Sequence, residues 1–479
     1  MITAASLAAI LSTSLTSSLA AQPQPGETRI EFTAESGETV AAFRGSLEVS
    51  EHRANPASRM ITLSYVRFPA TTDTPGDPIV YLAGGPGGSG SGTAAGRRFP
   101  LFMAMREHGD VIAFDQRGTG ESTSLPACRT DIYLPEDRPV PSDEVASAYR
   151  AAALQCRSFW AGEGIAIEGY TTLESVADLS DLRRHLGAQR LDLWGISYGT
   201  HLALAAMKTM PDELDQIILA SAEGLDQTVK LPSRTDAFFE RLSEAVASQP
   251  EAAARYGDLV ALMRRVQARL ETEPVMLTVQ GPDGAPMEFA FTKDHLQMVS
   301  GAASDPQNAL WLLPLYATLD AGEPGMVQVF AQRFFDPGEP ITMRAMSTAM
   351  DIASGISPDR LARFEAEADT GLTGPYLNFP MPQLANVWPD MDLGEAFRQE
   401  ASYDGPVLLL TGTLDGRTYP EGQREAAAGL SNLTTVTVIN AGHNLFMTSP
   451  EVGAAMHAFM RGEPVAREIT VPLPDFAGE

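Results

Sequence analysis

Leu191-Asp-Leu-Trp-Gly-Ile-Ser-Tyr-Gly-Thr200 is the stretch on which the fold turns. The apolar run Leu191 to Trp194 predicts a buried strand, and Thr200 to Met207 predicts the helix that leaves it. Between them lies Gly195-x-Ser197-x-Gly199, the spacing of a nucleophile elbow. The reason for the spacing is steric. A serine held in a strained turn needs neighbours two residues away that lack a Cβ, so that strand and helix can pass closely. Such a turn lifts the serine Oγ above the end of a sheet. A tight strand-to-helix turn with an idle serine shares the spacing, so the surrounding sequence must decide.

Upstream, Thr172 to Leu186 has a helical period, with Leu173, Val176, Leu179, Leu182 and Leu186 on one face, and feeds the elbow strand. Two more buried strands are predicted before it. Ile79 to Ala83 runs into Gly84-Gly-Pro-Gly-Gly-Ser-Gly-Ser-Gly92, a loop so poor in side chains that its N–H groups can converge on an anion or a developing oxyanion. No Gly-Lys-Ser/Thr follows, so it is not a phosphate loop; a flexible linker is the plain alternative. Val111 to Phe114 ends in Asp115-Gln-Arg-Gly-Thr-Gly-Glu-Ser122, where the opposite charges of Asp115 and Arg117 suggest a loop-bracing ion pair. Val40 to Val49 and Arg59 to Phe68 predict an antiparallel edge, and residues 123–170 an irregular excursion with one helix from about Ser142 to Trp160.

Downstream, Gln216 to Ala220 is a further strand, after which the strand–helix alternation stops. Residues 224–400 read as mainly helical, with one hairpin, Val275 to Gln280 and Met287 to Phe291, around Gly281-Pro-Asp-Gly284. Trp311, Phe334, Phe335 and Trp388 in this stretch form either its own core or a substrate pocket. Strand pattern returns at Pro406 to Thr411, which ends in Gly412-Thr-Leu-Asp415, and at Thr434 to Ile439, which ends in Asn440-Ala-Gly-His443. A helix, Pro450 to Met460, and a proline-rich tail close the chain.

Polar residues thus stand at three strand ends in the order Ser197, Asp415, His443, a chain order expected for a serine hydrolase triad. The chemistry needs each role. A serine hydroxyl attacks only if an imidazole takes its proton, and the imidazole needs a buried carboxylate to fix its tautomer and stabilise its charged form. The other histidines fit less well: His52 and His108 precede the elbow, His185 and His201 lie on helices beside it, His295 sits in the helical stretch and His457 on the final helix. Asp390, Asp392 and Asp404 precede a strand instead of ending it. The N–H of Tyr198, directly after the serine, is one candidate oxyanion donor, and the glycine loop offers a second.

Composition narrows the function. The chain has 479 residues, 44% of them apolar and 20% charged, a globular make-up. With 34 basic against 61 acidic residues its net charge is −27, which repels phosphate backbones and anionic membranes, so no nucleic-acid partner is expected. No run approaches the length of a membrane span, and no stable membrane insertion is expected. Residues 1–21 resemble a secretory leader without the usual basic start, giving an exported (periplasmic or secreted) protein, with a cytoplasmic one as the alternative. In an oxidising compartment the two cysteines, Cys128 and Cys156, would close a loop of about 29 residues, stabilising by roughly 3 kcal/mol; otherwise they are separate buried thiols.

Gly84-Gly-Pro-Gly-Gly-Ser-Gly90, Asp115-Gln-Arg-Gly-Thr-Gly-Glu-Ser122, Gly195-Ile-Ser-Tyr-Gly-Thr200, Asp415-Gly-Arg-Thr418 and Ala441-Gly-His443 together resemble the prolyl and tripeptidyl aminopeptidase branch of the α/β-hydrolases. The resemblance covers about residues 40–222 and 400–460, but not the helical stretch. It departs from the family at Ala83, where a histidine often opens the glycine motif, and at Tyr419-Pro420, where Thr-Pro is common. It implies a mostly parallel α/β-hydrolase sheet flanked by helices, built from residues 22–222 and 401–479; the helical pattern of residues 223–400 reads as a mainly helical cap inserted over the site. It also implies Gly85 as the second oxyanion donor, and a serine exopeptidase that removes proline or short peptides from free N-termini through an acyl-enzyme, with no metal or organic cofactor. Such an enzyme needs a carboxylate for the substrate's ammonium group. Glu223, just past the strand ending at Ala220, is the candidate, with a helix-capping or solvent-facing acid as its alternative. A carboxylester hydrolase would use the same triad, and a non-catalytic binding protein is the reading from another class. Oligomeric state is not readable from the sequence.

Overall fold

The computed structural model describes residues 22–478, so the expected leader at 1–21 lies outside the described residues. Its centre is a ten-stranded sheet in the order β1-β2-β3-β5-β4-β7-β8-β12-β13-β14. The strands are β1 (Thr28–Thr33), β2 (Thr39–Ser50), β3 (Met60–Phe68), β4 (Ile79–Leu82), β5 (Val111–Asp115), β7 (Leu191–Ser197), β8 (Leu214–Ala222), β12 (Val407–Gly412), β13 (Leu433–Ile439) and β14 (Glu468–Thr470). The strands from β1 to β3 pair antiparallel, as does β3 with β5. From β5 across to β14 every pairing is parallel. Among the described residues four further strands lie outside the sheet: β6 (Cys128–Arg129) pairs with β11 (Thr342–Met343), and β9 (Val275–Gln280) with β10 (Pro286–Phe291).

The central strands are largely apolar because both faces are covered. Successive side chains point to opposite faces, and the two apolar layers divide accordingly. Val80, Leu82, Ile112, Phe114, Leu193 and Leu409 pack on one side. Tyr81, Ala113, Trp194, Ile196, Leu408 and Leu410 pack on the other. Helices α1 (Gly90–Ala95), α2 (Phe99–Met105), α3 (Ser142–Gly162), α4 (Thr172–His185) and α5 (Tyr198–Thr209) are interleaved with the first strands. In α4 the buried stripe is Val176, Leu179 and Leu182, while Leu173 is exposed.

Residues 223–406, between β8 and β12, contain helices and the β9–β10 hairpin, and have an apolar core of their own around Phe238, Phe289, Leu312 and Tyr316. Trp388 is buried in a separate cluster with Trp160 of α3. Cys128 and Cys156 are joined by a disulfide, with their Cα atoms 5.5 Å apart.

Asp115 and Arg117 do not pair with each other. Arg117 is fully buried and forms a two-pronged pair with Asp178 of α4 (2.7 and 2.7 Å), also donating to the Glu51 carbonyl. Asp115 instead accepts from the hydroxyls of Ser89 (2.7 Å) and Ser91 (2.6 Å) and from the Glu121 N–H (3.0 Å). A fork-shaped guanidinium in a buried setting is matched by a carboxylate that both prongs can reach.

Candidate active site

The strained serine is present. Ser197 closes β7 at φ 55°, a region that L side chains rarely adopt, and α5 begins at the next residue. Both flanking glycines are required by contact. A Cβ on Gly195 would lie 2.7 Å from the Gly199 carbonyl oxygen, and one on Gly199 would overlap the Leu82 carbonyl of β4. The Thr200 hydroxyl then ties the turn: it donates to the Ser197 carbonyl (2.6 Å) and accepts from the Glu223 N–H (2.8 Å). The Tyr198 N–H opens α5 and has no carbonyl one turn earlier in the helix.

The glycine loop lies against this turn. A Cβ on Gly84 would stand 3.2 Å from Ser197 Cβ, and the next residue, Gly85, has φ +127°, accessible to glycine. The loop is fastened from below by Asp115 through Ser89 and Ser91, and Ser89 also caps α1 by accepting from the Gly92 N–H (2.8 Å).

At the ends of β12 and β13 the structure brings Asp415 and His443 together. His443 Nδ1 is 3.1 Å from both carboxylate oxygens. An ionised carboxylate only accepts, so Nδ1 carries the hydrogen and Nε2 is left with its lone pair. Asp415 is fully buried, which opposes its ionisation. The adjoining His443 imidazole, with the Thr418 N–H (2.8 Å) and hydroxyl (2.8 Å), outweighs burial and holds the carboxyl below its usual range. The His443 loop is also fixed to the sheet beside the elbow. Ser221 of β8 donates to the His443 carbonyl (2.9 Å), and its neighbour Ala222 is in register with Ser197. Ser197 and His443 therefore share one rim of the sheet. From the segment between β8 and β12, Asp305 accepts the His443 N–H (2.8 Å).

Glu223 is not a solvent-facing acid. It is buried, accepts a hydrogen bond from Lys230 Nζ (2.7 Å), and lines a cavity of about 930 Å³. Gly85 and Pro86 of the glycine loop, Phe289, Phe334 and Phe335 from the segment between β8 and β12, and a second acid, Asp351, line the same space. Burial and then the Glu223 carboxylate push Asp351 up to about 7, against the pull of Lys230. Sequence reading missed Asp351. The available signal was its isolation as the single charge in the helix Ala345–Ser354, whose neighbours Ala349, Met350, Ile352 and Ala353 are buried. That helix lies over the elbow, with Met350 Sδ 3.1 Å from the Tyr198 hydroxyl. Thr418 and Asp305 were missed as well, because their partners are fixed only by the tertiary fold.

The sheet order and the strained turn between β7 and α5 are those of the α/β-hydrolase fold. Residues 77–268 match the family described as alpha/beta hydrolase fold, and residues 380–467 the family described as TAP-like protein. The chain has the α/β-hydrolase fold and is similar to peptidases of that fold. It is 29% identical over 187 residues to serine protease Hip1 of Mycobacterium tuberculosis, covering 38% of this chain and 36% of that one. It is 28% identical over 194 residues to the tripeptidyl aminopeptidase of Streptomyces coelicolor (37% and 34% covered), and 30% identical over 188 residues to the proline iminopeptidase of Arabidopsis thaliana (39% and 35% covered). Each match spans about a third of the relative's length.

Proposed function

We propose that the chain is a serine exopeptidase that hydrolyses peptides from a free N-terminus. The observation that carries the reading is the His443–Asp415 pair on the same rim as the strained Ser197. In this reading His443 Nε2 takes the proton of Ser197 Oγ as the oxygen attacks the scissile carbonyl, then returns it to the departing amine. Water hydrolyses the resulting acyl-enzyme by the same route. The N–H groups of Gly85 and Tyr198 hold the oxyanion. Residues 223–400 act as the cap, and the substrate's ammonium group sits in the cavity between Glu223 and Asp351, with Lys230 balancing their charge. The names of the relatives support a peptide over an ester as substrate.

An exported location is part of the proposal. The Cys128–Cys156 disulfide supports it, since such bridges persist in oxidising compartments. Among the described residues no helix is long and apolar enough to cross a membrane.

The test is a panel of chromogenic peptide amides with Pro, Ala or a tripeptide at a free or acetylated N-terminus. Wild type cleaves the free amines and spares the acetylated ones, while Ser197→Ala folds normally and cleaves neither. Equal rates on free and acetylated substrates would replace the exopeptidase reading with a general amidase or esterase. Activity retained by Ser197→Ala would remove the mechanism.

A further inference from the structure

On the far side of the sheet from Ser197, three metal-binding side chains converge. Glu107 and His108 lie in the turn between α2 and β5, at the amino end of that strand, and His457 lies in the last helix, Pro450–Met460. His108 Nε2 and His457 Nδ1 are 2.8 Å apart, and Glu107 Oε1 is 3.1 Å from the first and 2.9 Å from the second. The histidine side chains are largely buried, at 9% and 17% exposure, and the Glu107 side is open to solvent.

Protons alone do not satisfy this triangle. If one nitrogen carries hydrogen, the other faces the carboxylate oxygen lone pair to lone pair. If both carry hydrogen, they face each other donor to donor. A cation removes the conflict, because all three atoms then present lone pairs to one centre. A point about 2.0–2.1 Å from each atom lies about 1.1 Å out of the plane of the triangle, at the bond lengths zinc makes to imidazole nitrogen and carboxylate oxygen. The edges would open by a few tenths of an ångström, and the open side leaves a fourth position for water.

We propose that Glu107, His108 and His457 form a binding site for a divalent transition metal, best matched by zinc, which fastens the last helix to the turn entering β5. Two imidazoles and one carboxylate suit zinc, whereas calcium and magnesium take mainly oxygen ligands. The competing cation is Arg461, whose Nη1 also reaches Glu107 Oε1 (2.9 Å) while its Nη2 holds Glu463 (3.0 Å). Arg461 is half exposed and Glu463 can retain it, so the guanidinium can leave Glu107 when a metal arrives. The site is separate from the proposed catalytic residues, and its test does not depend on hydrolysis.

The test is titration of the chelator-stripped full chain with zinc by calorimetry, and with cobalt by visible absorption. The expected result is equimolar zinc uptake, a four-coordinate cobalt spectrum and a Tm that rises with zinc concentration. His108→Ala/His457→Ala should weaken zinc binding by more than about 100-fold, since loss of outer-shell partners alone costs 10–100-fold. Arg461→Ala should tighten it several-fold. If the double variant does not fold, His457→Gln with cobalt decides, by loss of the four-coordinate spectrum. No equimolar uptake by wild type, uptake unchanged in the double variant, or an unchanged spectrum in His457→Gln would overturn the site.

Discussion

Ser197 and Glu223 are joined through one hydroxyl. Thr200 Oγ1 donates to the carbonyl of the first and accepts from the N–H of the second. The turn that strains the expected nucleophile thus also sets the position of the acid in the cavity. Thr200→Val keeps the shape but leaves the Glu223 N–H unpaired in a buried place, at a cost of about 1–3 kcal/mol. Because both groups shift, kcat/KM should fall by about 10-fold or more, and Thr200→Ser should restore it. Steady-state kinetics with thermal melts checks this; a variant that loses stability with unchanged kcat/KM would break the link.

Asp415 tests the imidazole's support. Asp415→Asn preserves volume but no longer fixes the His443 tautomer or stabilises its charged form. On the proposed mechanism kcat drops by about 10³–10⁴-fold while substrate binding is retained. Pre-steady-state kinetics separates the two effects, and an equal loss in affinity would point to a collapsed site.

Asp351 provides a pH signature. Its carboxyl, raised to about 7, is ionised above that pH and neutral below it. An ammonium group is held by the ionised form, so KM for a free-amine peptide should climb as pH falls through about 7. Asp351→Asn should remove that climb. A KM flat with pH in wild type would take Asp351 out of ammonium recognition.

A second buried acid governs stability instead. Burial, reinforced by Asp215 and Asp77, pushes Asp192 up to about 8 despite the hydrogen bond it accepts from the Gln216 N–H (2.8 Å). The folded chain therefore keeps a proton that the unfolded chain, with the ordinary value of 3.8, releases. Its effect is to lower stability progressively as pH rises from about 4 to about 8. Asp192→Asn keeps the acceptor and should raise Tm, by little at about pH 5 and by more at about pH 8. Melting curves that differ equally at both pH values would contradict this.

The sequence made the sheet and the rim residues legible because each buried run ends abruptly in a polar residue. The fully buried β5, which closes on Asp115, is an instance, and the elbow glycines follow from a steric rule that holds anywhere. What it hid has physical reasons. In β1 only Phe32 is buried, so an edge strand shows almost no alternation. Helix α1 is built from Gly-Ser-Gly-Thr-Ala-Ala, poor helix formers at its start, and forms because Gly90 packs against the Phe114 backbone and Ser89 caps it. The partner of Arg117 lies 61 residues away on α4, so local charge pairing misled. Asp351 and Asp305 reach the rim from a distant segment whose placement is fixed by packing.

The single covalent cross-link braces a wall and leaves the floor alone. Cys128 pairs in β6 with Met343 of β11, and β11 leads directly into the helix that suspends Asp351 above the elbow. Reductant should therefore loosen the chamber's selectivity, read as a rise in KM for free-amine peptides, before it dulls the bond-breaking step measured by kcat. An exported enzyme of this build would carry its discrimination in a part that sulfur chemistry holds upright, and its reactivity in a part that it does not.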